Sequence, residues 1–371
     1  MRRAVHQLAR QAVRALGAFA IAAPFAFAPC AAPAQVADIA FSANANPLTL
    51  PDRLHFGEVT GIDLDQRRHV YVFMRTGVRS TVHGGVASQL FEFGPDGKFI
   101  REIGTELYGF AFAHTVRVDK AGNLWTSDEG TNMIVKFSPA GRVLMVLGRR
   151  DEAVEEAAPH APGELPPPRW GGFNRPTDVA WDLQGNIFVA DGYNNSRVVK
   201  VSPDGRWLAT WGEKGKEPGQ FNTLHTIAND AKGNIYVGDR GNRRIQVFDP
   251  NGTLLRVMTI DVPFNKEPNV MFGAMPRTGA NPLTSSGAPW AICITPGPVQ
   301  YLYSADAVPG RIYKLTLDGK VLGVLGEAGK KAGEFGWVHQ IACPSENELW
   351  VGEILNWRVQ KLTLKPTAAQ R

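Results

Sequence analysis

Apolar and polar residues alternate with a period of two in short runs along most of the chain, as in Ile62-Asp63-Leu64-Asp65, Thr115-Val116-Arg117-Val118 and Arg244-Ile245-Gln246-Val247. Gly-Asn pairs (Gly122-Asn123, Gly185-Asn186, Gly233-Asn234) and Asp-Gly or Asn-Gly pairs (Asp204-Gly205, Asn251-Gly252, Asp318-Gly319) separate the runs. Alternation over four to six residues between such breaks predicts antiparallel strands half-buried on one face. The glycine and asparagine positions supply the positive φ that tight hairpins need.

The strands come in a repeating order. Segments beginning at Phe112, Phe173 and Phe221 each carry an apolar strand, a Gly-Asn turn and a second strand ending in Asp128, Asp191 or Asp239. A third strand, a Pro-x-Gly or Asn-Gly turn and a fourth strand follow. Weaker copies start at Phe56, near Trp290 and at Phe335, which makes six. Four-stranded units of about 40–50 residues stacked radially predict an all-β, six-bladed β-propeller with antiparallel blades. The blades fall at about 54–104, 110–148, 171–212, 219–260, 287–326 and 333–364, with irregular surface loops at 149–170 and about 262–288. Blade 6 ends its third strand at Leu362-Thr363-Leu364 and lacks a fourth. Residues near Val36–Phe41 are expected to supply it and so leave no open edge.

Composition changes the picture mainly at the N-terminus. Arg2, Arg3, Arg10 and Arg14 precede an Ala/Phe-rich run from about Leu16 to Ala28, and Ala32-Pro33-Ala34 gives a small-x-small cleavage site. Residues 1–34 read as an export signal, and 35–371 as a single periplasmic or extracellular domain. The apolar run is too short for a comfortable membrane span. The formal charge of +5 falls to about +1 once the four signal arginines are removed, and no basic run remains, so nucleic acid is not an expected partner. Cys293 and Cys343 survive processing at similar places in neighbouring repeats, and whether they pair stays open. A monomer is expected.

Aligning the repeats slot by slot separates shared residues from particular ones. Asp128, Asp191, Asp239 and Glu353 fill one slot, and Arg197, Arg244, Arg311 and Arg358 fill or adjoin another. Repeated use marks scaffold, here hairpin caps and inter-blade ion pairs. His114, His225 and His339 instead occupy one slot in blades 2, 4 and 6, where blades 1, 3 and 5 carry Thr60, Thr177 and approximately Trp290. Alternate blades are related by about 120° around a six-blade ring, so three imidazoles would converge in the central channel, as a catalytic zinc site with an open fourth position requires. With 8 histidines in 371 positions, chance fills three of six such slots about once in 5,000 draws, or about once in a hundred across some forty slots. The alternative is a set of polar residues lining a wet channel. His55, His69, His83 and His160 match no slot. Arg75, Tyr193 and Arg240 follow the acid slot closely and should reach the same rim, where guanidinium forks suit a carboxylate substrate.

The repeats resemble the NHL family over about residues 54–364. Val72-Phe73-Met74-Arg75, Ala113-His114-Thr115-Val116, Asp191 to Arg197, Leu224-His225, Asp239-Arg240 and Val338-His339 further resemble the peptidyl-α-hydroxyglycine α-amidating lyases. That resemblance implies zinc on His114, His225 and His339, Tyr193 as general base, and Arg75 and Arg240 on the substrate carboxylate. The implied reaction splits an N-acyl-α-hydroxyglycine into an amide and glyoxylate, with the phenol pKa lowered by the cation. The family's structural calcium would sit between the carbonyls of Ile62 and Val116 and an aspartate, but Gln340 stands at the aspartate position. A neutral amide is a weaker ligand for a hard cation, so calcium is a weaker expectation than zinc. The family cysteine after the tyrosine is Asn194, and no copper monooxygenase segment accompanies the repeats. Two other readings remain: a non-catalytic exported binding module, and a zinc lyase for a small ureidoglycolate-like molecule.

Overall fold

The computed structural model describes residues 36–76, 88–150, 169–264 and 286–365. The expected export signal, His83 and His160, and most of the two irregular loops lie outside them. Six four-stranded antiparallel sheets form a β-propeller. Blade 1 comprises Glu58–Leu64, Val70–Arg75, Ser88–Phe93 and Phe99–Ile103; blade 2 comprises Ala113–Val118, Leu124–Asp128, Met133–Phe137 and Val143–Gly148. Blade 3 is Asp178–Trp181, Ile187–Asp191, Arg197–Val201 and Trp207–Trp211; blade 4 is Leu224–Asn229, Ile235–Asp239, Arg244–Phe248 and Leu254–Thr259. Blade 5 is Ala291–Ile294, Tyr301–Ala305, Ile312–Thr316 and Val321–Leu325. Blade 6 has Val338–Ser345, Glu348–Glu353 and Arg358–Leu364 from the C-terminal end of the chain, and Phe41–Asn44 as its outermost strand.

That outermost strand lies slightly downstream of the expected stretch. Phe41 faces Leu364 and Asn44 faces Lys361, while Asp38 bridges to Val324 on the outer strand of blade 5. One extended N-terminal segment therefore contacts two neighbouring blades. Farther along, Thr49 bridges to Lys98 of blade 1.

The hairpins follow from a small side-chain device. Asp119, Asp182 and Asp230 each accept backbone N–H groups across the turn and a side-chain N–H from the turn asparagine, Asn123, Asn186 or Asn234. The intervening Gly185 adopts φ +79°, which only glycine takes without strain. Inner strands pack blade against blade. Phe73 of blade 1 meets Phe110 at 4.8 Å between ring centroids, and both join Val116 and Phe137 in one buried cluster.

The scaffold ion pairs differ from expectation. Asp191–Arg197, Asp239–Arg244 and Glu353–Arg358, at 2.7–2.9 Å, join opposed residues of one hairpin within one blade, not two blades. Antiparallel register places the end of the second strand directly opposite the start of the third, so the short route wins. Asp306 is clasped instead by backbone N–H groups and the Tyr313 hydroxyl, while Arg311 turns to the carbonyls of Val262 and Pro263.

Candidate metal centre and channel rim

The first strand of each blade lines the central channel, and these strands neighbour one another in sequence order round a closed ring. In blades 1, 2, 4 and 6 the strand register shifts at one residue, skipping Thr60, His114, His225 and His339. These are β-bulges at the shared slot. A bulged residue leaves the ladder and its side chain is re-aimed, here away from the inter-blade core and into the channel.

The three histidines converge. All are buried, their candidate ligand atoms lie within 4.8 Å of one another, and their ring centroids are 4.6–4.9 Å apart. Each Nδ1 donates to a carbonyl of the slot residue in the next blade: His114 to Thr177 (2.6 Å), His225 to Trp290 (2.6 Å) and His339 to Thr60 (2.8 Å). With the proton fixed on Nδ1, Nε2 carries the free lone pair. The Nε2 atoms of His114 and His225 are buried without a hydrogen-bond partner among the described residues. Burial holds all three imidazoles neutral: it pushes His114 and His225 well below the usual histidine range and His339 down to about 3, with Arg240 adding to the effect at all three and Arg75 at His114 and His339. Three neutral imidazoles with aimed, unused lone pairs fit a borderline-soft divalent ion such as zinc.

Above this centre stand the expected rim residues. The Tyr193 ring lies 5.5 Å from that of His114 and 5.8 Å from that of His225. Burial pushes its phenol upward, against the opposing pull of Arg240 and Arg75. Arg240 sits on a single 3₁₀ turn, Arg240–Asn242, with its guanidinium 3.8 Å from the Trp290 ring centroid and 5.5 Å from that of Tyr193. Its Nε and Nη1 are buried and have no partner among the described residues. Arg75 is already engaged: it donates to the Ala113 carbonyl, pairs with Glu58 at 3.3 Å, approaches Glu129 at 3.8 Å and stacks on Phe112.

Two rim residues were missed by the sequence reading. Glu129 directly follows Asp128, the same offset that marks Arg240 after Asp239, so slot alignment contained the signal. Arg175 had none: it reaches the site because its backbone adopts φ +60° just before the Thr177 slot, and its guanidinium lies 4.8 Å from the Tyr193 ring centroid.

The layer just past the histidines does not fit calcium. Gln340 is buried, its Nε2 donates to the Val116 carbonyl at 2.6 Å, and its Oε1 accepts from the Val116 N–H at 3.2 Å. An amide donor thus occupies the carbonyl that a cation would need. Ile62 lies buried in the neighbouring strand. One residue beyond Val116, Arg117 makes a buried two-pronged pair with Asp178 (2.9 and 2.6 Å), so this layer already carries its own cation. A cavity of about 760 Å³ opens at the far ends of these strands, lined by Trp125, Trp181, Asn229 and Pro344, and contains none of the three histidines.

Fold and site together define the class: a six-bladed propeller of NHL-type repeats with a three-histidine centre in its channel. The NHL repeat family matches residues 173–201. The chain is 30% identical to peptidyl-glycine alpha-amidating monooxygenase A of Xenopus laevis over 53% of its length, a stretch spanning 22% of that relative. It is 29% identical to the probable peptidyl-alpha-hydroxyglycine alpha-amidating lyase pgal-1 of Caenorhabditis elegans, over 52% of this chain and 55% of that one. The chain thus spans well under two thirds of both relatives. A streptogramin B lyase structure shares the fold, with TM-score 0.53, 16% identity, and coverage of 88% of this chain and 98% of that one.

Proposed function

We propose that the protein is an exported, zinc-dependent carbon–nitrogen lyase that splits an N-acyl-α-hydroxyglycine, R–CO–NH–CH(OH)–COO⁻, into the amide and glyoxylate. The observation that carries this reading is the set of three Nδ1-anchored, neutral imidazoles beside a buried phenol and a guanidinium with two unpartnered nitrogens. Similarity to proteins named as amidating lyases supports the substrate class. His114, His225 and His339 would hold zinc, which supplies Lewis acidity to the substrate's hydroxyl oxygen when bound.

The protein's own residues do the rest. Arg240 offers its unpartnered Nε and Nη1 to the substrate carboxylate, and the Trp290 face beneath it keeps water away. Arg75, fixed by Ala113 and Glu58, faces the same centre from blade 1, across the ring from Arg240. Tyr193 Oη takes the hydroxyl proton as its own proton passes to the departing nitrogen, so the neutral phenol is regenerated and atoms balance with no added reactant. The test uses purified residues 35–371. About one zinc per chain is expected, with glyoxylate released from an N-acyl-α-hydroxyglycine, abolished by a chelator and restored by zinc. Metal-loaded protein that releases no glyoxylate from acyl or ureido substrates would sink the lyase reading and leave an exported binding module.

A further inference from the structure

Glu129 has no part in the chemistry above, yet its placement is unusual. Its side chain is buried, one carboxylate oxygen lies 3.0 Å from Arg175 Nη2 and 3.8 Å from Arg75 Nη2, and the other is buried with no partner among the described residues. A backbone hydrogen bond from its N–H to the Phe112 carbonyl fixes the chain at that point. Its charge is felt by both Tyr193 and Arg240, so it faces the same rim. A buried carboxylate oxygen without a donor is costly, and the cost disappears if a ligand brings one.

Ring geometry says which part of a ligand that is. Arg240 belongs to blade 4, which stands opposite blade 1 in a six-blade ring, and Glu129 belongs to blade 2 beside blade 1. A substrate whose carboxylate lies at Arg240 and whose hydroxyl lies over the histidines therefore points its acyl portion toward Arg75, Glu129 and Arg175. The two guanidiniums suit the acyl carbonyl oxygen. The free Glu129 oxygen suits an N–H on the substituent beyond it. Building on the lyase reading, we propose that Glu129 is a specificity-determining residue that selects acyl groups bearing an N–H donor, a carbamoyl group being the smallest. An alkyl substituent would leave that oxygen buried and unpaired.

Two unreactive ligands isolate the contact. N-carbamoylglycine and N-acetylglycine share one shape and differ by an NH₂ in place of a methyl. Titrated calorimetrically into zinc-loaded protein, the carbamoyl ligand is expected to bind at least about tenfold more tightly. In Glu129→Val the two affinities should become equal. Freeing Arg75 and Arg175 would shift both ligands alike, so only their difference reports on the carboxylate. Equal affinity in the wild type, a margin that survives Glu129→Val, or no binding of either ligand would each overturn the proposal. The wild-type comparison stands alone should the variant not fold. Neither ligand has the hydroxyl or turns over, so a failed glyoxylate assay removes the lyase reading and leaves this result legible.

Discussion

His225 is aimed by two independent features: a bulge that takes it out of the ladder and an Nδ1 bond to the Trp290 carbonyl. The same pair of features recurs at His114 and His339, which is why the slot was legible in sequence. A repeat copies its bulge, and the bulge turns whatever residue it carries into the channel. Tyr193 and Arg240 could be placed by offset, but their states could not. Only burial explains why the phenol is pushed up, and only the folded contacts separate Arg240, with two nitrogens unpartnered, from Arg75, held by Ala113 and Glu58. Tyr193→Phe keeps the ring against His114 and His225 while removing the proton acceptor. It should lower kcat by roughly 10²–10⁴ with zinc content and KM nearly unchanged. Arg240→Ala should raise KM more than Arg75→Ala, because Nε and Nη1 of Arg240 are buried without a partner while Arg75 is held by Ala113 and Glu58. Steady-state kinetics on all three variants checks both statements, and an equal KM for the two arginine variants would refute the second.

At the scale of elements, alternation and turn chemistry made the strands readable, because each hairpin is clasped by residues a few positions apart. Asp182 with Asn186 and Asp191 with Arg197 are local contacts. The strand that completes blade 6 is different: Phe41–Asn44 meets Lys361–Leu364 from the other end of the chain. Register across so long a separation is decided by what the neighbouring blades leave open, here Val324 for Asp38 and Leu364 for Phe41. Starting the protein at residue 46 instead of 36 should expose the edge of Arg358–Leu364 and remove the buried Ile39 from the core it shares with Leu325 and Leu362. A fall in Tm of at least about 5 °C is expected by calorimetry. An unchanged Tm would show that the closure contributes nothing.

Across the whole molecule, the ring is locked a second time. Cys293 on the first strand of blade 5 and Cys343 on that of blade 6 form a disulfide with Cα atoms 6.1 Å apart. Adjacent inner strands converge on the axis, which is why similar positions in neighbouring repeats lie within bonding reach. Such a bond suits an oxidising compartment. Reduction, or a Cys293→Ser/Cys343→Ser double variant, should cost about 2–4 kcal/mol in denaturant unfolding while leaving zinc content intact; no loss of stability would show the link to be idle. By itself the sequence determined the six repeats, the all-β architecture and the slot shared by three histidines, because these rest on periodicity and contacts within one repeat. Tertiary structure decided what lies between repeats. It placed Glu129 between Arg75 and Arg175, engaged the Val116 backbone with the Gln340 amide, and left two nitrogens of Arg240 without a partner among the described residues. Those outcomes depend on distances between blades far apart in sequence, and only closing the ring sets them.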